Sequence, residues 1–248
     1  MLDDFAILFL ALWFIVVAIF GYSAYWAFAL RRVLMQHLYR RQASWVGWMA
    51  IYFVAISTFL TLALSFNVNL LPVNILGGLL ISSGFIVLFF WIDSTIRVAR
   101  RSDPLYRDSG RWSKLRYLWG IATIGGAIGA LVDSIFSGFT TVAPFSGALL
   151  FGAITLLLSA KRSGDPTLRV HLKWMGLCIF ILWLGNQIIG PLFNIITDAY
   201  LVETIALALV GLSAYSLYRS ARSLAPIGRL SRIEAAGLGP GPVAAGSQ

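Results

Sequence analysis

The feature that most constrains this chain is the alternation of long apolar runs with basic clusters. Seven runs approach or exceed the about 20 apolar residues that a bilayer-spanning helix needs. They cover residues 5–30, 44–66, 74–96, 117–138, 143–160, 172–195 and 200–218, the fifth being the shortest. All 19 lysines and arginines fall in four clusters, and each cluster follows an odd-numbered run. The clusters are Arg31, Arg32, Arg40 and Arg41; then Arg97 through Arg116; then Lys161, Arg162, Arg169 and Lys173; and finally Arg219, Arg222, Arg229 and Arg232. Basic residues accumulate on the cytoplasmic side of membrane proteins, so this arrangement predicts an external N-terminus and a cytoplasmic C-terminus. Gaining or losing one helix would split the charges between the two faces, which supports the count of seven.

The expected fold class is therefore all-α, a polytopic bundle of seven transmembrane helices over residues 1–224. Composition agrees: 59% of residues are hydrophobic and 12% charged, against about 25% charged in soluble domains. The net charge of +9 is assigned to topology and to the lipid bilayer as partner, not to nucleic acid. The expected location is integral to the plasma or cell membrane. The first run follows Met-Leu-Asp-Asp, with no basic n-region or small-residue cleavage site, and reads as a retained helix. Trp26, Trp45, Trp48, Trp91, Trp112, Trp119 and Trp174 fall at the cytoplasmic ends of their runs and are expected to form an interfacial belt. Trp13 and Trp183 sit deeper. Residues 225–248 end in a Gly/Pro/Ala mixture with little bulk to pack, and are expected to form a disordered cytoplasmic tail.

An internal repeat marks two cytoplasmic loops. Residues 103–112 read DPLYRDSGRW and residues 165–174 read DPTLRVHLKW. Asp103 and Asp165 suit helix N-caps, with Pro104 and Pro166 at the first helical position. Asp103, Arg107, Arg111, Asp165 and Arg169 are also candidates for docking a membrane or cytoplasmic partner protein. The pattern resembles the cytoplasmic loops of seven-helix membrane input domains in bacterial sensor kinases, a resemblance that implies a signalling bundle. The stretch ETIALALVGLSAY, from Glu203 to Tyr215, looks like the final helix of microbial rhodopsins. Tyr215 stands where their retinal lysine would be, and Gly211 where a counter-ion aspartate would be.

Residue inventory narrows the chemistry. Lys114, Lys161 and Lys173 all lie in expected loops, so a retinal Schiff base within the bilayer is excluded. His37 and His171 are also assigned to cytoplasmic loops, leaving no axial ligands for a transmembrane haem. One cysteine, Cys178, and two distant histidines do not make a zinc site. There is no phosphate-binding loop or dinucleotide fingerprint. The expectation is a non-enzyme without metal or cofactor.

Polar residues inside apolar runs remain as candidates for a site. Asp133 lies about 25 Å up its helix from Arg116 at 1.5 Å per residue, and Gly125, Gly129 and Asp133 share a spacing of four. Small residues at that spacing admit a neighbouring helix, which turns Asp133 inward. Asn186, Gly190 and Asn194 repeat the spacing in the sixth run, beside Gln187 and the helix-bending Pro191. Glu203 opens the seventh. Asp133, Asn186, Gln187, Asn194 and Glu203 all fall in the outer half and form the expected ligand-binding set. The inner half offers mainly Asp93, expected to pair with Arg97 one turn away. Three functions fit: a sensor or receptor-like protein with an outward-facing polar cavity, an accessory subunit of a larger membrane complex, or a small-solute or cation transporter. With a reporter at each terminus, the N-terminal tag should be accessible from outside and the C-terminal tag from inside. Both tags on one side would contradict seven spans.

Overall fold

The computed structural model describes residues 4–34, 37–65, 71–102, 111–137, 146–196 and 199–226, and these residues form seven helices. They are α1 (Asp4–Val33), α2 (His37–Ser65), α3 (Leu71–Ser102), α4 (Arg111–Ser137), α5 (Ser146–Arg162), α6 (Pro166–Ile195) and α7 (Ala199–Ser223). Lipid offers no hydrogen bonds to a bare peptide group, so long apolar runs satisfy their backbone as helix. Four helices are long and apolar enough to cross a membrane: α1 over Ile7–Val33, α3 over Leu71–Arg97, α6 over Pro166–Ile189 and α7 over Leu201–Ser223. The apolar stretch of α4, Arg116–Val132, is shorter.

The helices close into a ring. α1 packs between α2 and α7, α6 packs between α5 and α7, and α3 joins α2 to α4, with slighter contact between α3 and α5. The clusters of arginine and lysine gather at one end of this ring, because contacts described below join the start of α2, the end of α3, the start of α6 and the end of α7. The large side chains with no exposure, among them Leu34, Met49, Trp91, Ile96, Leu172 and Leu217, lie within a few turns of that basic end. Exposed Phe14, Ile15, Ile121, Ile124 and Ile128 form outward apolar faces on α1 and α4, the distribution expected of a bundle solvated by lipid.

At the basic end the helices run past their apolar runs. α2 begins at His37 rather than near residue 44, α3 ends at Ser102 rather than near 96, and α6 begins at Pro166 rather than near 172. The expected cap is present on α6: Asp165 accepts a hydrogen bond from the Thr167 backbone N–H at 2.8 Å, with Pro166 in the first turn. The equivalent pair Asp103 and Pro104 lies outside the described residues, as do Arg107 and the chain from residue 227 onward, where the disordered tail is expected. Leu224, just before that tail, is fully buried.

Two expectations need correction. Trp91 and Trp119 are not part of an interfacial belt; both are buried in the core, and Trp119 stacks near Phe89 and Phe151. Position along a helix sets depth, but rotation about its axis decides between core and rim. For the same reason Gly125 does not admit a neighbouring helix: a Cβ there would meet nothing within 4 Å. The packed face of α4 is turned by one residue and runs through Trp119, Thr123, Gly126, Ala127 and Ala130.

Close helix approach occurs instead at Gly176 on α6. A Cβ there would lie 2.9 Å from Leu157 Cγ and 3.3 Å from the Ala153 carbonyl oxygen of α5. Gly176→Leu should therefore destabilise the bundle by about 1–3 kcal/mol through overpacking. Gly125→Leu should not destabilise it and should gain about 0.5–1 kcal/mol, since the side chain meets open space and leucine favours helix over glycine. Thermal unfolding of both variants in detergent checks the contrast, and equal effects would contradict this packing.

Candidate functional site

The most polar part of the described interior lies at the basic end, in the half expected to be nearly apolar. His171 is not in a loop. It sits in the second turn of α6, fully buried. Its Nδ1 is 3.0 Å from the Ser220 carbonyl oxygen and 3.0 Å from Ser220 Oγ on α7, and its Nε2 is 3.2 Å from Gln42 Nε2 on α2. The Gln42 amide also donates to Thr95 Oγ1 of α3 at 2.7 Å. One tautomer fits these distances: a neutral imidazole donates from Nδ1 to the Ser220 carbonyl and accepts at Nε2 from Gln42. Four helices thus meet at one node. Burial without such partners would cost an imidazole or amide several kcal/mol.

The node is not fully satisfied. Gln42 Oε1 is buried and has no hydrogen-bond partner, an omission that costs about 1–3 kcal/mol. A second polar contact between α6 and α7 lies seven residues away on both helices, where Cys178 Sγ and Ser213 Oγ are 3.1 Å apart. The two helices are therefore joined by two neutral rungs, His171–Ser220 and Cys178–Ser213, about 10 Å apart along the axis.

Charge is handled separately, between α3 and α4. Asp93 has no exposure and pairs with Arg97 as expected, and also with Arg116 Nε at 2.7 Å. Both arginine side chains remain partly exposed, so the carboxylate is neutralised inside while the cations keep water. The two described members of the expected partner-docking set are engaged within the chain. Asp165 accepts from Tyr39 of α2 at 3.1 Å besides capping α6. Arg169 donates to the Ser163 carbonyl oxygen from Nε at 3.1 Å and from Nη2 at 2.8 Å, closing the α5–α6 turn. Arg111 opens α4; its side chain is outside the described residues.

In the opposite half two helices are less buried, α2 and α6, while Phe9, Phe85, Ala130, Val202 and Leu207 of their neighbours are buried there. From Phe180 to Gly185 every residue of α6 is only partly buried, and from Ile51 to Phe59 no residue of α2 is fully buried. Six consecutive helical residues cover every face, so the inward faces of these segments are accessible too. Ser57 of α2 lies seven residues beyond buried Ala50, on the same face, and is partly exposed.

Of the expected ligand-binding residues, Glu203 is half-buried on α7, four residues before buried Leu207. Gln187 is exposed, on the same side of α6 as Ile188, Pro191 and Ile195, and so faces away from the bundle. The side chains of Asp133, Asn186 and Asn194 lie outside the described residues. Of the five, only Glu203 and Gln187 are therefore placed, the first half-buried and the second exposed.

Among the described residues no group of three histidine, cysteine, aspartate or glutamate side chains could hold a metal ion. Sequence reasoning missed Gln42, Thr95, His171 and Ser220 because the helices were ended where hydrophobicity ended. The Asp165-Pro166 cap carried the correcting signal, since a helix starting there places His171 inside it.

His171→Ala should cost about 1–3 kcal/mol, because it removes the imidazole's hydrogen bonds to Gln42 and Ser220 and leaves a cavity among four helices. His37→Ala, at an exposed position, should stay within about 0.5 kcal/mol. Chemical or thermal unfolding in detergent compares them, and a loss for His37 as large as for His171 would overturn the assignment.

Compared with known proteins, the chain matches no family model, no curated protein and no solved structure.

Proposed function

We propose that the chain is a seven-helix sensor or receptor-like membrane protein whose interior opens to the outside and whose basic end faces the cytoplasm. One observation carries the reading: the bundle is sealed at the basic end, whereas α2 and α6 lose their buried faces in the opposite half. The seal is the His171 node with the large buried side chains around it. The loosening is the run of partly exposed residues on all faces of α2 and α6. A cavity closed at its inner end suits binding of a small polar ligand, with half-buried Glu203 at hand and Asp133 and Asn186 as further candidates from the sequence. A transporter needs a polar path through the full thickness, and the packed node stands across it. The orientation rests on the basic clusters.

The seal also suits transmission. Hydrogen bonds between transmembrane helices contribute about 0.6 kcal/mol on average, so the two neutral rungs can be exchanged at little cost while the apolar packing of α6 on α7 is kept. A ligand drawing the outer halves together would move helix ends that carry the cytoplasmic arginines.

A second reading, an accessory subunit, draws on α4. It packs mainly on α3 and leaves Tyr117, Leu118, Ile121, Ile124 and Ile128 exposed around bare Gly125, a face that could take a neighbouring transmembrane helix.

The test uses single cysteines in a Cys178→Ser background and a membrane-impermeant maleimide. Glu203→Cys and Ser57→Cys should react with reagent added from the N-terminal side, while Ser216→Cys, buried at the basic end, should react from neither side. Reaction of Glu203→Cys and Ser57→Cys only from the C-terminal side would reverse the orientation. No reaction at either would remove the cavity and leave the subunit reading ahead.

A further inference from the structure

A groove on the outer surface of the bundle lies between α1 and α7. It has a volume of about 420 Å³ and is lined by Ile15, Ala18, Ile19, Tyr22, Tyr215 and Tyr218. That size falls within the about 300–1,000 Å³ of small-molecule sites. Its origin is local: Ala18 is small, and a Cβ on Gly21, one turn on, would meet nothing within 4 Å. The seam between the two helices is left unfilled along about two turns of α1, from Ile15 to Tyr22. It opens to the side, among exposed apolar residues that belong in lipid, so its natural occupant arrives from the bilayer.

The end of the groove nearest the basic termini is chemically different. Tyr22 and Tyr218 meet across the seam with ring centroids 5.5 Å apart. Arg219 Nη1 donates to the Tyr215 hydroxyl at 2.8 Å, and Arg222 Nη1 to the Tyr218 hydroxyl at 3.4 Å. Arg219 is further held over the Trp174 ring at 4.9 Å. Two exposed guanidinium groups are thereby fixed at the rim, and among the described residues neither is paired with a carboxylate. Each phenol accepts from an arginine and keeps its own O–H to donate. Guanidinium and hydroxyl donors converging beside an apolar trough match a phosphate attached to an acyl chain.

We propose that the α1–α7 groove binds an anionic glycerophospholipid. One acyl chain lies along Ile15, Ala18 and Ile19, and the phosphate lies at Arg219, Arg222 and the hydroxyls of Tyr215 and Tyr218. A sterol would fill the trough and leave both cations without a counter-charge, and a zwitterionic lipid would bring a cationic headgroup beside them along with its phosphate. A partner helix would cover the trough without supplying an anion.

Native mass spectrometry of the full chain in detergent, titrated with dioleoyl phosphatidylglycerol or dioleoyl phosphatidylcholine, tests the assignment. These lipids share acyl chains and differ in net charge. The wild-type chain should retain phosphatidylglycerol with a preference of about tenfold or more, as two interfacial arginines supply. Arg219→Gln with Arg222→Gln should abolish the preference, and Ala18→Phe should reduce retention of both lipids. All three positions are exposed, so the fold should persist. A photoactivatable phosphatidylglycerol provides a readout on the unmodified chain, with crosslinks expected between residues 15 and 22 of α1. Equal retention of the two lipids, a preference that survives loss of both arginines, retention unaffected by Ala18→Phe, or crosslinks confined to other helices would each overturn the proposal.

Discussion

A buried imidazole tolerates little freedom in its surroundings, and His171 sets the terms for the basic end of this bundle. Its two ring nitrogens need one donor and one acceptor within reach, and those come from different helices, Gln42 on α2 and Ser220 on α7. Gln42 in turn requires Thr95 on α3. Once these four ends are drawn together, Leu172, Met175 and Leu217 are held in the core beside them. The charged groups are then kept off the axis: Asp93 is matched by arginines that reach solvent. A buried charge at the node would face a heavier desolvation cost than neutral groups do, and none is placed there.

The helices were legible in the sequence because lipid imposes a length on every apolar run, and each of the seven runs has a helix over it. The ends were less legible. Hydrophobicity ends where the bilayer core ends, while backbone hydrogen bonding continues into the polar boundary, so Gln42 and His171 were read as loop residues. Local signals survived: the cap at Asp165 and the i,i+4 pairing of Asp93 with Arg97 depend only on nearby positions. Non-local partners did not. Neither Arg116 for Asp93 nor Tyr39 for Asp165 can be inferred from spacing, since each comes from another helix. Rotation about the axis was hidden as well, which is why Trp91 and Trp119 were assigned to the rim and Gly125 to a helix contact.

The same limit applies to the expected ligand-binding set. Depth alone grouped Asp133, Asn186, Gln187, Asn194 and Glu203. Burial separates the two described members: Glu203 is half-buried on α7 and Gln187 is exposed on α6. An amide on the exposed side of α6 still has a physical role, because Gln187 precedes Pro191 near the outer end of that helix, where the polar boundary lowers the cost of an exposed polar group.

α6 belongs to both halves of the molecule. Its first four turns carry His171, Met175 and Cys178 into the sealed end, and its next two turns, from Phe180, line the loosened half. In the proposed sensor, a ligand in the outer half would therefore act on the rungs through one rigid element. The energies are compatible with such coupling. Moving a two-state equilibrium from 1:99 to 99:1 takes a difference in affinity of about 5.5 kcal/mol, and smaller differences give partial shifts. The two rungs contribute only about 0.6 kcal/mol each, so most of the resistance comes from the apolar packing of α6 on α7, which such a ligand would have to shift. By linkage, a cytoplasmic partner that prefers the separated helix ends would tighten binding of the outer ligand by the same factor. A bundle built only to be rigid would have closed its node with apolar side chains, as it does beside it at Leu172 and Leu217.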